Sequence, residues 1–423
     1  MQIPQNVIGR SSVSIYKKMA LGILFLGLLI FLIIESSNKG DFHIFLEASK
    51  SLINGDNIYE RTYFDGYHYF YSILFAILIY PFTFLPVQLA VFLWLGLNVF
   101  FLYRLYIVIN KLLPLYLLSE NSKKWFWIIA VIFSMRLILE NLHVAQITIF
   151  LLYLCLEGIF LINTKKNYKG ALLIALGINI KLLPVVLLPY LLYRKKYKAS
   201  GLVVLFTTIF LFIPIVIIGP TEFNKLMTTW LSLINPVNSQ HILDVEERSF
   251  HSLTTLLSTL LVENVPDMYA LKIRRNVADI SLENLKIAIT CVRLIFIAYT
   301  LYFLRTMPFK KAKDRLHNFW EVSYILCLIP LIFPHQQHYA FLLIAPAFSY
   351  CVYYVLQFQN DLSDLKKHFI ITSLAIIYLL ANLKLIFGNY NEYYEHFKIL
   401  TYGAIFLVII LSILPPPKPL KNS

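Results

Sequence analysis

Apolar runs close to the length of a bilayer crossing recur from one end of this chain to the other, among them 19–34, 87–109, 201–219, 286–304, 338–357 and 399–413. About 20 apolar residues span the hydrocarbon core as a helix, and a backbone in lipid must satisfy its own hydrogen bonds. The chain is therefore expected to fold as an all-α polytopic membrane protein. Composition agrees: 59% of the residues are hydrophobic, 14% are charged, and the mean hydropathy is +0.69. The first run follows Arg10, Lys17 and Lys18 as a signal peptide would, yet no small-x-small cleavage site follows it, so a retained helix is expected.

The net charge of +14 does not point to nucleic acid, because the basic residues sit in short clusters between apolar runs. Those clusters are the N-terminus, Lys111 with Lys123 and Lys124, 164–169, 193–198, 305–315, Lys366 with Lys367, and the tail. If all face the cytoplasm, the chain crosses an even number of times between them. That parity makes 71–84 a short or re-entrant segment broken from the next helix at Leu85-Pro86. It makes 125–139 and 146–163 a hairpin with "ENLHVAQ" at its apex, and 171–193 two half-helices meeting at "NIKLLP". About eleven to thirteen transmembrane or re-entrant helices result, in a single domain over 1–423 with no internal repeat. Both termini are then cytoplasmic, with external segments at 35–70 and 220–284, and a bacterial cell membrane is the default setting.

The polar interruptions Asp41, "ENLHVAQ", Lys181, 220–284 and "PHQQHY" all collect on the external face in this topology. A transporter is expected instead to place ionisable groups at the midplane, often in two corresponding halves. The pattern predicts an active site at the external membrane surface. Residues 42–54 form an amphipathic interfacial helix, with Phe42, Phe45, Leu46, Leu52 and Ile53 on one stripe and His43, Glu47, Lys50 and Asn54 on the other. Asp41 at its start is a helix N-cap, a base for an acceptor hydroxyl, or both. Glu47 and Lys50 read as a solvated pair.

An acidic residue just after the first helix, a following Gly55-x-x-x-Tyr59, and a Lys and a His on the same face resemble the GT-C membrane glycosyltransferases, and among them glycosyltransferase family 87. "YSILFAILIYPF" from Tyr71 to Phe82 is similar to that family's "YPPLFALLLAPL"-like segment, with Ser72-Ile73 in place of the double proline. Ala145-Gln146 resembles its Gly-Gln before a helix, Lys181 to Pro184 its K-x-x-P, and His338-Tyr339 the end of its S-W-x-H-Y. Glu247 to Ser249 echoes its "NQS". The resemblance implies a GT-C-like helical bundle, a polyprenyl-phosphate sugar donor with mannose favoured, a lipid or glycan acceptor, and the first-loop aspartate as base.

On that reading Asp41 is the base for inverting transfer, and Lys181, His338 and Arg248 hold the donor phosphate. Gln146, His143, Tyr59, Tyr71, His335 and Tyr339 are candidates for the acceptor or sugar pocket. Trp230 and His251 lie in a stretch whose aromatics and hydrogen-bonding groups suit sugars. His335 and His338 stand at metal-chelating spacing without a nearby carboxylate, and Cys155, Cys291, Cys327 and Cys351 lie in apolar segments without a CxxC, so no cofactor is expected. No phosphate-binding glycine loop occurs, which points to a lipid-linked rather than a nucleotide-sugar donor. The alternatives are an O-antigen-type polymerase or ligase and a lipid-linked sugar flippase.

Overall fold

A computed structural model describes residues 8–235, 243, 250–263, 265, 271–304, 310 and 314–417, the side chains of 8–17, 65, 301, 304, 386 and 389 excepted. The described residues form helices joined by turns and loops, and their one extended pairing is an isolated bridge between Phe250 and Gln337. Helix α1 (Ile8–Glu35) leads to the short α2 (Asp41–Ile53). The expected break then follows. Helix α3 (Ile73–Ile79) runs into a 3₁₀ turn ending at Phe84, too short to cross, and α4 (Val87–Leu112) begins after Pro86.

Helices α5 (Glu120–His143) and α6 (Thr148–Asn163) form the predicted hairpin. Helix α7 (Asn167–Ile180) stops at Lys181, and a 3₁₀ turn leads into α8 (Leu187–Tyr193). Helix α9 (Tyr197–Phe212) continues into α10 (Pro214–Ile218), and α11 (Pro220–Ile234) turns off at Gly219. Next come α12 (Leu253–Leu261), α13 (Leu282–Leu304), α14 (Arg315–Ile332), α15 (Ala345–Phe358) and α16 (Asp364–Asn382). The short α17 (Lys384–Phe387) and α18 (Asn391–His396) precede α19 (Ile399–Ile413).

Five stretches of the described chain are long and apolar enough to cross a membrane: Lys18–Glu35, Val87–Leu112, Glu120–His143, Tyr197–Ile218 and His338–Phe358. The first and fourth are exposed along most of their length, as helices facing lipid are, whereas α14 is buried from His317 to Leu331 and forms the axis of the bundle. The chain is an integral membrane protein. Where α6 and α7 cross, Gly158 and Gly170 face each other: a Cβ at Gly170 would lie 2.6 Å from the Gly158 carbonyl. Small residues let the two backbones meet, the usual device when lipid removes the hydrophobic drive between helices.

The segment from 220 on is not a plain polar loop. Phe223, Leu226 and Trp230 repeat at helical spacing, and α11 buries all three. In α2 the expected stripe is only part of what is buried, because α3 and α4 cover more than one face. Ile53 is 41% exposed while Ser49 and Ser51 are buried, the Ser49 hydroxyl donating to the Ala76 carbonyl at 2.7 Å. Cys155, Cys327 and Cys351 are buried, Cys291 is exposed, and none is paired.

The bundle has two distinct ends. At one, the Asp41 amide donates to the Val144 carbonyl at 2.8 Å, and Asn141 Nδ2 donates to the Tyr339 carbonyl at 2.9 Å. At the other, Arg315 donates to the Lys111 carbonyl at 3.0 Å, and Arg194 holds the buried Glu321 carboxylate, which also accepts from Tyr190 at 2.9 Å. Lys123, Lys124, Lys165, Lys166, Lys195, Lys196, Lys366 and Lys367 flank the helix termini of this second end.

Candidate active site

At the first end lies a cavity of about 210 Å³ lined by Asp41, Tyr71, Lys181, Trp230, Phe250, Tyr339 and the stretch from Phe333 to Gln337, with Tyr67, His68 and Phe70. Each side chain arrives there for a local reason. Gly40, in extended conformation, is the N-cap of α2, and His43 Nδ1 accepts from its amide at 3.3 Å. Asp41 is thus the first helical residue and not the cap expected from sequence. A Cβ at Gly40 would fall 2.7 Å from the Val144 carbonyl oxygen, so this close approach needs glycine. Lys181 sits where α7 ends: it is extended, and Pro184 three residues on opens the next turn.

The Asp41 carboxylate accepts from Gln146 Nε2 and is hydrogen-bonded by Tyr339. Gln146 is fully buried, and its Oε1 accepts from the Tyr71 hydroxyl at 3.0 Å and from the Ile147 amide at 2.9 Å. Those bonds fix which end of the amide faces Asp41. Burial pushes the Asp41 carboxyl from 3.8 up to about 6, although the Lys181 charge and the two hydrogen bonds draw it down. Burial likewise lowers the Lys181 ammonium from 10.5 to about 8, with the Asp41 charge opposing. The Lys181 Nζ lies 5.3 Å from the Tyr71 ring centre, in cation–π range.

Aromatic rings form the rest of the wall. His335 adopts a left-handed backbone (φ 55°), stacks on Phe70 at 5.7 Å and meets Phe250 edge-on at 5.3 Å. Trp230 donates its indole N–H to the Phe70 carbonyl at 3.2 Å. Phe333 also belongs to a second hollow of about 360 Å³ between α8, α13 and α14, lined by Val186, Pro189, Tyr190, Tyr193, Ile297, Thr300, Ile325, Leu328, Ile329 and Ile332. The ring-lined cavity that holds Asp41 and Lys181 and the adjoining apolar groove therefore share one lining residue, Phe333.

Of the residues singled out in the sequence, Asp41, Tyr71, Lys181, His335 and Tyr339 line the cavity and Gln146 touches Asp41. Three others do not. Tyr59 lies behind Tyr71, its hydroxyl donating to the Tyr71 carbonyl at 3.0 Å, and His143 points away at the end of α5, 2.9 Å from Glu35. His338 turns to the far side of the wall, where its Nε2 stands 3.6 Å from Glu140. A residue adjacent in sequence to Tyr339 faces the opposite way because the 3₁₀ turn beginning there puts successive side chains about a third of a turn apart. Arg248 lies outside the described residues. His251 is buried next to Glu395, away from the cavity.

Sequence reasoning missed Tyr67, His68, Phe70 and Phe250. The signal for the first three was the run "YFDGYHYFY", nearly every position of which is a ring. Among the described residues, no group of three or more His, Cys, Asp and Glu gathers as a metal ligand set.

The chain belongs to glycosyltransferase family 87, whose family model matches residues 69–334. The matched span holds Tyr71, Gln146 and Lys181, with Asp41 before it and Tyr339 after it. It is accordingly a membrane glycosyltransferase. Comparisons with curated proteins and with solved structures gave no match.

Proposed function

We propose that the protein transfers a hexose or pentose, mannose first among the candidates, from a polyprenyl-phosphate sugar to a lipid or glycan acceptor, with inversion and with Asp41 as base. The observation that carries this reading is Phe333, which lines both the cavity holding Asp41 and Lys181 and the adjoining apolar groove. A lipid-phosphate sugar has its reactive carbon at headgroup level and its tail in the bilayer, and this layout matches both parts. Asp41 Oδ takes the proton of the acceptor hydroxyl as the acceptor oxygen bonds to the anomeric carbon. The bond from that carbon to the phosphate oxygen breaks, and its electron pair leaves with the polyprenyl phosphate. Lys181 stabilises the growing negative charge there.

Gln146 and Tyr339 aim the carboxylate, and Tyr71, Trp230 and the Phe70–His335 stack offer faces for sugar rings. By the positive-inside rule the basic residues at the far end support a cytoplasmic setting for that end, and with it an external cavity, in what we take to be a bacterial cell membrane. His338 has no part in holding phosphate on this reading. The test is transfer in proteoliposomes supplied with synthetic polyprenyl-phosphate mannose, glucose or arabinose and lipid acceptors. Transfer by wild type and its loss, by at least a hundred-fold, in Asp41→Asn at equal expression is expected. Persistence in the variant would remove Asp41 as base, and no transfer by wild type from any of these donors would remove the donor assignment.

A further inference from the structure

Behind the cavity wall, six ionisable side chains from five separate stretches are packed together. Arg136 and Glu140 come from α5, His251 from the residues before α12, His338 from the start of its 3₁₀ turn, Lys384 from α17 and Glu395 from α18. Arg136 Nε lies 2.9 Å from Glu140 Oε1, and Lys384 Nζ lies 2.9 Å from Glu395 Oε1 and 3.7 Å from Glu140 Oε1. Glu395 Oε2 is 2.6 Å from His251 Nε2, the ring nitrogen that carries the proton opposite a carboxylate. None of the six lines the cavity.

Ionic groups placed this deep add little net stability, since the cost of drying them offsets their attraction, and apolar residues of the same volume would hold the elements together as well. What they do supply is registry, and their links lead to the cavity. The His251 amide donates to the Gln336 carbonyl at 2.9 Å, and Phe250 bridges to Gln337. The His251 carbonyl accepts from the Thr401 hydroxyl at 2.6 Å. His251 is thereby held from three directions, and its neighbours Phe250, Gln336 and Gln337 are cavity lining. Among the described residues its Nδ1 makes no hydrogen bond, and Glu395 is the one side chain there that bonds this fully buried imidazole.

We infer that Glu395 is a positioning residue of the active site: through His251 it sets Phe250 and the 336–337 strip against the substrate. The inference rests on the cavity being the site of transfer, and it concerns affinity and not bond making. Loss of Glu395 removes the side-chain hold on the buried imidazole and leaves only the backbone holds from Gln336 and Thr401 on the segment that carries Phe250, which loosens its register against the cavity.

Two readouts test this. The first is steady-state sugar transfer by wild type, Glu395→Ala and Glu395→Gln. The second is equilibrium binding of polyprenyl phosphate in detergent, followed by quenching of Trp230 fluorescence, with Trp230→Phe as the blank. Glu395→Ala is expected to raise KM and Kd at least ten-fold with kcat within three-fold. Glu395→Gln, whose amide oxygen still accepts from His251 Nε2, is expected to return both to within three-fold of wild type. A merely structural role predicts activity falling with the folded fraction and unchanged KM and Kd in what remains folded, and that result overturns the inference. Should Glu395→Ala fail to fold, Thr401→Val removes another hold on His251 and is expected to raise KM and Kd at least three-fold; no change overturns the inference equally. If wild type transfers no sugar yet Kd moves as stated, the donor reading fails while the positioning role stands.

Discussion

In the proposed mechanism two residues carry the acid–base chemistry, Asp41 as base and Lys181 as the phosphate's cation, and their environments set its pH range. Asp41 is the working base only when ionised, so with its carboxyl raised to about 6 activity climbs as pH rises through 6. Lys181 holds phosphate only when charged, so with its ammonium lowered to about 8 activity falls as pH rises through 8. A bell-shaped profile of kcat/KM with limbs near these two values is expected, and Lys181→Arg should carry the alkaline limb beyond the measured range. A flat profile from 5 to 9 would count against both assignments. Ala145 poses a different question. It sits in the left-handed region (φ 51°) at the end of α5, where the family pattern has glycine, and its carbonyl accepts from the Trp94 indole at 2.9 Å. Ala145→Gly is expected to stabilise the protein by about 1 kcal/mol, read as a raised unfolding midpoint in detergent, with transfer unchanged. Asp41 and Lys181 could be picked out in the sequence because an ionisable residue beside apolar runs is conspicuous. Phe250 could not, since one more ring among 33 phenylalanines carries no mark until the fold brings it to the wall.

At the scale of elements, helix breaks were the readable part. Pro86 and Pro184 end what precedes them for reasons internal to the chain, and the predicted breaks after 71–84 and within 171–193 stand where the prolines put them. The covered faces of α2 and the helical α11 were harder, because what buries Ser49 or Trp230 comes from elsewhere in the fold. The α6–α7 crossing belongs to the same class: Gly158 and Gly170 are separated by a turn of the chain and meet only when packed. Gly170→Val is expected to push the two helices apart and to destabilise the protein by about 3 kcal/mol, seen as a lowered unfolding midpoint and lower yield. Lys181 ends α7, so transfer should fall with it even though Gly170 is far from the cavity along the helix. An unchanged midpoint would mean that the crossing is looser than the contact distances imply.

For the molecule as a whole, charge counting along the sequence grouped the loop lysines that the fold brings to one end, since such lysines answer to the membrane and not to packing. The 3₁₀ turn that swings His338 away from the cavity was beyond it. The orientation proposed above is open to direct labelling. With Cys291→Ser as background, Tyr67→Cys at the cavity should react with a membrane-impermeant maleimide in intact cells, and Tyr116→Cys, exposed at the other end, only after permeabilisation. The reverse pattern would turn the topology over.

The shared residue Phe333 has a further consequence for a substrate whose tail lies in the groove. Such a molecule approaches and departs within the plane of the lipid, so enzyme and donor find one another by sliding in two dimensions. What governs turnover is then the crowding of donor per unit of membrane area, not its amount per litre. Spreading the same donor through a larger sheet of inert lipid slows the reaction as dilution slows it in water, while the acceptor is drawn from its own side at its own concentration.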